Sequence, residues 1–121
     1  MLTLPIERKW FDMILQGKKT EEYREVKPYY TKRFKKWIVS VPCHDLIIEN
    51  EYRAAADRGG IPYEGIVLRN GYSHLSGAIL IRGRLMIREG RPDWGAEPGK
   101  EYYVLTIENS EILNPGITKE R

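Results

Sequence analysis

Residues 78–87 place the tightest constraint on the fold. Ile79, Ile81, Leu85 and Ile87 alternate there with Leu80, Arg82, Arg84 and Met86. That two-residue period belongs to a strand, whose successive side chains point to opposite faces. Gly83 falls inside the run and predicts a bulge. Other strand-like segments surround it. Residues 1–5 are short, apolar and alternating. Residues 63–68 lead into Asn70-Gly71, a strong turn dipeptide. Residues 102–108 read as a long strand that Ile112 and Leu113 extend, and Leu46-Ile47-Ile48 reads as a buried one. Residues 88–100 are rich in Gly and Pro and predict a loop, in which Trp94 is expected to plug a barrel end rather than wall a cleft. Five or six mostly antiparallel strands have to close up or cover their edges, which favours a small barrel.

Two segments change period. Ile6, Trp10 and Ile14 recur every four residues with Phe11 and Leu15 beside them, an apolar helical stripe ending near Gln16. Glu7 is expected in its first turn, where a carboxylate suits the helix dipole. Gly17 then serves as a left-handed C-cap. Residues 19–26, bounded by Gly17 and Pro28, have no such stripe and predict a strand. Its alternation puts Thr20, Glu22 and Arg24 on one face and Lys19, Glu21, Tyr23 and Glu25 on the other. Pro28 suits the first turn of a second helix. On it Tyr30, Phe34, Trp37 and Ile38 form an apolar face, so Phe34 and Trp37 are expected in the core. Lys32, Arg33, Lys35 and Lys36 fall mostly opposite. Residues 52–58 read as a short helical or loop segment ended by Gly59-Gly60.

A chain of 121 residues is one domain's worth. Its 41% hydrophobic and 31% charged content excludes disorder throughout. Cys43 is the sole cysteine, so no internal disulfide forms. No His, Cys or carboxylate pair has metal-ligand spacing, and neither a metal nor a cofactor is expected. The start lacks a basic segment followed by an apolar run, and no stretch of about eighteen apolar residues occurs. A cytoplasmic protein without signal peptide or membrane span is expected. The net charge of +3 is uneven: residues 1–40 hold ten Lys and Arg against five Asp and Glu, and residues 41–121 ten against twelve. A basic half attracts phosphates.

Residues 17–24 read Gly-Lys-Lys-Thr-Glu-Glu-Tyr-Arg, matching G-x-K-x-x-E-x-R directly after the amphipathic helix. A cation, a carboxylate and a guanidinium beside one cleft can hold a phosphate and a base edge. They can equally support acid–base chemistry, or form a plain Glu22–Arg24 ion pair with Lys19 in solvent. With the strand before the helix, Arg69-Asn70-Gly71-Tyr72, the loop 90–99 and the closing strand, the motif resembles ASCH domains of the PUA-like superfamily, notably small phage and bacterial ones. The resemblance implies an α+β fold, a PUA-like small mixed or antiparallel β-barrel with two or more flanking helices over residues 1–113, and a polar tail at 114–121. It implies an RNA- or nucleotide-binding cleft lined by Lys19, Glu22 and Arg24.

One branch of that family consists of amidohydrolases acting on acetylcytidine, and some relatives are reported as ribonucleases. This chain has Glu22 where the amidohydrolases are thought to place a nucleophilic threonine, and Thr20 stands two residues away. If the chain is an enzyme, Lys19 and a water activated by Glu22 are the catalytic candidates. The pairs Cys43-His44 and Ser73-His74 are poor candidates, because adjacent strand side chains point apart. Tyr29 is a candidate for stacking on RNA, and Arg69 and Tyr72 are modest binding candidates. A third reading has the basic helix meeting an acidic protein. The oligomeric state is left open.

Overall fold

A computed structural model describes residues 1–39, 43–71, 73 and 75–116, with the backbone alone at Val39. Among these the chain forms six strands and three α-helices. Strand β1 (Leu2–Pro5) turns Leu2 and Leu4 inward. Helix α1 (Arg8–Leu15) buries Phe11 and Ile14 and half-buries Trp10. Glu7 lies just outside it, in extended backbone, and makes no capping bond. At the other end Gly17 adopts φ +73°, Gly17 N–H donates to the Ile14 carbonyl (3.0 Å), and Lys18 N–H to that of Met13 (2.9 Å). This Schellman turn aims the chain into β2 (Glu21–Glu25).

Helix α2 (Pro28–Phe34) begins with Pro28, whose missing N–H costs nothing in the first turn. It runs on into a π-helical turn, Lys35–Val39. In this turn Ile38 packs against the core and Trp37 is 46% exposed, so Trp37 is not the core residue its helical spacing implied. The second correction concerns residues 46–48, which belong to helix α3 (Asp45–Ala55) and not to a strand. The His44 ring caps that helix by accepting from Leu46 N–H at 3.1 Å, and Asp45 sits in its first turn. Ile48, Tyr52 and Ala55 form its buried stripe, while Leu46 and Ile47 face outward. Three apolar residues in a row could not distinguish a strand from one turn of such a helix.

Strands β3 (Ile61–Asn70), β4 (Gly77–Glu89), β5 (Glu101–Thr106) and β6 (Asn109–Asn114) complete a mixed sheet in the order β1-β3-β4-β5-β2. Only β1 and β3 run parallel; β6 pairs with the first half of β4, on the edge that β5 occupies further along. The bulge lies on β3, where register shifts between Tyr63 and Ile66. Gly83 serves a close approach instead: a Cβ there would stand 2.0 Å from the Thr106 carbonyl oxygen. Asn70 ends β3, and its side-chain amide donates to the Ile6 carbonyl at 2.9 Å, tying it to the β1–α1 link. Strand β6 runs one residue past the boundary at 113, and residues 117–121 of the tail lie outside the described residues.

The sheet curls into a half-barrel, compatible with a small barrel-like fold but not the closed barrel that was expected. The three helices lie against one face, packing Phe11, Phe34 and Tyr52 into one cluster with Leu4, Ile81 and Tyr103 of the sheet. A smaller cluster on the other face gathers Tyr23, Met86, Ala96, Tyr102 and Val104 beneath the 90–100 loop. Among the described residues no helix is long and apolar enough to cross a membrane.

Candidate functional site

The sheet's terminal strands are β1 and β2, and the curl brings them together. Arg24 spans the seam. One guanidinium nitrogen donates to Glu22 Oε2 (2.5 Å) and the Tyr23 carbonyl (2.7 Å), and the other donates to the Pro5 carbonyl at the end of β1. In the ladder Glu22 lies opposite Leu105 and Arg24 opposite Tyr103, both core residues, so Glu22 and Arg24 share the inner face as their spacing predicts. Lys19 precedes β2, in the turn out of α1, and is free of the strand's alternation. Its Nζ donates to Glu22 Oε1 (2.5 Å) and to the Glu21 carbonyl. Both Glu22 oxygens therefore carry a cation.

This triad is buried. Lys19 is 1% exposed and Glu22 4%, so Lys19 is neither solvated nor a wall of the cleft, but sits behind Glu22 between the Trp10 and Tyr23 rings. Burial lowers the Lys19 pKa and Arg24 adds to this, while Glu22 pulls it back up. On the opposite face the Tyr23 hydroxyl donates to Glu21 Oε1 at 2.7 Å and accepts from Arg91 N–H at 2.9 Å. Burial is the main reason that its pKa lies above the ordinary tyrosine value.

A cleft of about 310 Å³ opens over the seam. Glu22 and Arg24 lie in its floor, with Pro5 and Ile6 from the far strand. Its walls are aromatic: Trp10 from α1, Tyr30 from α2, Trp94 from the 90–100 loop and Tyr102 from β5. Each ring has a cation near its face: Lys9 at 4.5 Å from Trp10, Lys27 at 5.6 Å from Tyr30, Arg91 at 4.3 Å from Trp94 and Lys100 at 5.3 Å from Tyr102. Glu25 at the rim lies 3.3 Å from Lys100 and 3.7 Å from Lys27; Lys100 first, then Lys27, holds its carboxyl below the usual range.

The structure thus brings Lys19, Glu22 and Arg24 together and leaves the other named residues elsewhere. Tyr29 is 52% exposed outside the cleft, and its neighbour Tyr30 forms the wall. Arg69 is the penultimate residue of β3, half-buried, in register with Pro5 but away from the lining. Trp94 walls the cleft, contrary to the expected plug, because the loop folds back over β2. Cys43 is half-buried against the core and His44 is a helix cap. Tyr72 and His74 lie outside the described residues. Trp10, Tyr30 and Tyr102 were read from the sequence only as helix-stripe or strand residues. Their signal is the base within three residues of each: Lys9, Lys27 and Lys100. Among the described residues no three His, Cys, Asp or Glu side chains gather as a metal would need.

Compared with family models, curated proteins and solved structures, the chain finds no match in any of the three.

Proposed function

We propose that this chain is a PUA-like, ASCH-type domain that holds one base of RNA or of a nucleotide in the seam cleft. The observation that carries this reading is four aromatic walls, each with a cation, around a floor of Arg24 and Glu22. A flat base stacks on such walls, at roughly 1–3 kcal/mol per base. Arg24 has five N–H donors, and those left over from Glu22, Tyr23 and Pro5 are what it can offer a base edge in the cleft it lines. At about 310 Å³ the cleft is at the small end of ligand pockets, so sugar and phosphate lie outside, among the rim cations.

Hydrolysis is the second reading, favoured by the lowered Lys19 pKa. Two features weigh against it. Glu22 has to release a cation before it can activate water, and Lys19 lies sealed behind it. Docking of an acidic protein on the basic helix has less support, since Lys35 is spent on the Cys43 carbonyl and Asp45.

Binding of nucleosides and short single-stranded RNA, followed by tryptophan fluorescence across a salt series, tests the proposal. Trp94→Ala should weaken binding about tenfold or more. Affinity for RNA should fall with salt while that for the neutral nucleoside barely moves, and the RNA should stay intact. No binding even at low salt would sink the proposal. Turnover abolished by Glu22→Gln would replace it with the hydrolase.

A further inference from the structure

We infer that the groove beside Trp37 is a second stacking subsite, taking another base of the same RNA strand that places one base in the seam cleft; this rests on the reading above. The groove, about 790 Å³, is walled by Trp37, Ile38, Met1, Pro62 and Tyr63, at the end of β1 opposite the cleft. One helix joins the two places: Tyr30 near the start of α2 lines the cleft, and Trp37 in the π-helical turn lines the groove. Seven residues of helix separate them, about 10 Å.

The surface between them fits a strand of RNA. Residues 30, 34 and 38 form the inward stripe of the helix. Tyr29, Arg33 and Trp37 form a second stripe at the same four-residue spacing, with Tyr29 and Trp37 exposed. Its groups are flat, and Tyr29 and Arg33 are in contact. The Tyr29 ring meets Tyr30 edge-on at 4.9 Å, and the Arg33 guanidinium carbon lies 3.5 Å from the Tyr29 ring centre. The Lys36 Nζ lies 5.3 Å from the Trp37 ring. Aromatics interleaved with cations are what a single strand stacks and pairs its phosphates on. Arg82 in the groove wall has no carboxylate partner among the described residues, while Glu64 is the sole carboxylate in the lining. π-Helical turns are rare and cluster at functional sites, and this one carries the exposed Trp37 ring.

The test is the affinity of the full chain for a mononucleotide and for a single-stranded RNA of about six nucleotides, in wild type, Trp37→Ala and Trp94→Ala. Expected is hexamer binding about tenfold or more tighter than mononucleotide binding. Trp37→Ala should remove that gain and leave the mononucleotide unchanged, whereas Trp94→Ala should weaken both. Hexamer affinity unmoved by Trp37→Ala, or loss of both ligands alike, would overturn the subsite and leave the cleft standing. So would self-association of the wild type that Trp37→Ala abolishes without touching RNA affinity, which would assign the groove to a second copy. Failure of every nucleotide to bind would overturn cleft and subsite together.

Discussion

Strands β2 and β6 invert the usual relation between polarity and burial. β2 reads Glu-Glu-Tyr-Arg-Glu, and Glu22 is 4% exposed with Lys19 behind it at 1%. β6 reads Asn-Ser-Glu-Ile-Leu-Asn, and its Ile112 and Leu113 are 56% and 49% exposed. The difference lies in what covers each strand. β2 lies at the seam of the half-barrel, under Trp10 and the 90–100 loop, whereas β6 packs mainly on β4. Covered charges survive only when paired and hydrogen-bonded, and the β2 group achieves this: every Glu22 oxygen has a donor and the Lys19 Nζ has two acceptors. Such an arrangement is weak evidence for stability, because desolvation offsets attraction, and stronger evidence for a preorganised site.

The sharpest way to break that contrast is Glu22→Ala. It leaves the buried Lys19 facing Arg24 without the anion between them, and should cost about 3–5 kcal/mol in urea unfolding. A loss below about 1 kcal/mol would mean that Lys19 reaches solvent, and the burial account of β2 would fail. The triple change Lys19→Met, Glu22→Leu, Arg24→Met should restore stability to within about 1 kcal/mol of wild type. On the proposed reading it should also abolish nucleoside binding, which separates the triad's part in the fold from the part proposed for it in binding.

How much was legible in the sequence follows the same division. Most local signals were sound: the Trp10–Ile14 part of the first stripe, the Gly17 cap, the Pro28 helix start and the alternation through β4 all appear where the periods put them, while Ile6 and Glu7 fall just before the helix. The pairing of Glu22 with Arg24 was legible because two residues on one strand face need only local geometry. What failed needed non-local knowledge. Residues 46–48 had their helix hidden by a run too short for its period to show. Trp37 was displaced by a turn type that no spacing rule anticipates. The cleft's walls come from α1, α2, β5 and a loop, and only the curl of the sheet assembles them.

Alkaline pH probes the covered regions next. Burial raises the pKa of Tyr23, Tyr52 and Tyr63 above the ordinary 10.0, and pushes that of Tyr103 up to about 12. Below pH 10 both folded and unfolded chains keep these protons, and the tyrosines contribute in full. Above it the unfolded chain sheds protons that the folded chain retains, so stability falls as pH rises. Lys19 works in the opposite sense, its lowered pKa favouring the folded state as pH climbs toward 10.5. One lysine against four tyrosines leaves a net loss. The urea midpoint should drop between pH 10 and 12, with about 2 kcal/mol from Tyr103 alone. A flat midpoint to pH 12 would contradict the burial of these rings.

Tyr52 sharpens the comparison from inside the core. Its hydroxyl is buried with no hydrogen-bond partner among the described residues, unlike every polar group of the β2 triad. Tyr52→Phe removes a desolvated donor without opening a cavity, and should be neutral or raise stability by up to about 1 kcal/mol. A clear loss in thermal unfolding would show that the hydroxyl has a bonded partner in solution.

The smallest effect belongs to β6. Ile112 lies opposite Ile79, which is 1% exposed, yet more than half of Ile112 is in solvent. Since Ile112 buries little area, Ile112→Thr gives up little transfer free energy, and threonine suits a strand as well as isoleucine does. Stability should move by no more than about 0.5 kcal/mol in either direction. An open edge strand carrying two apolar side chains is also a place where copies of a chain add to one another. A loss above about 1 kcal/mol that grows with protein concentration would therefore mean that β6 is covered in solution by a second copy. The contrast with β2 would then be one of partners, β2 covered by its own chain and β6 by another.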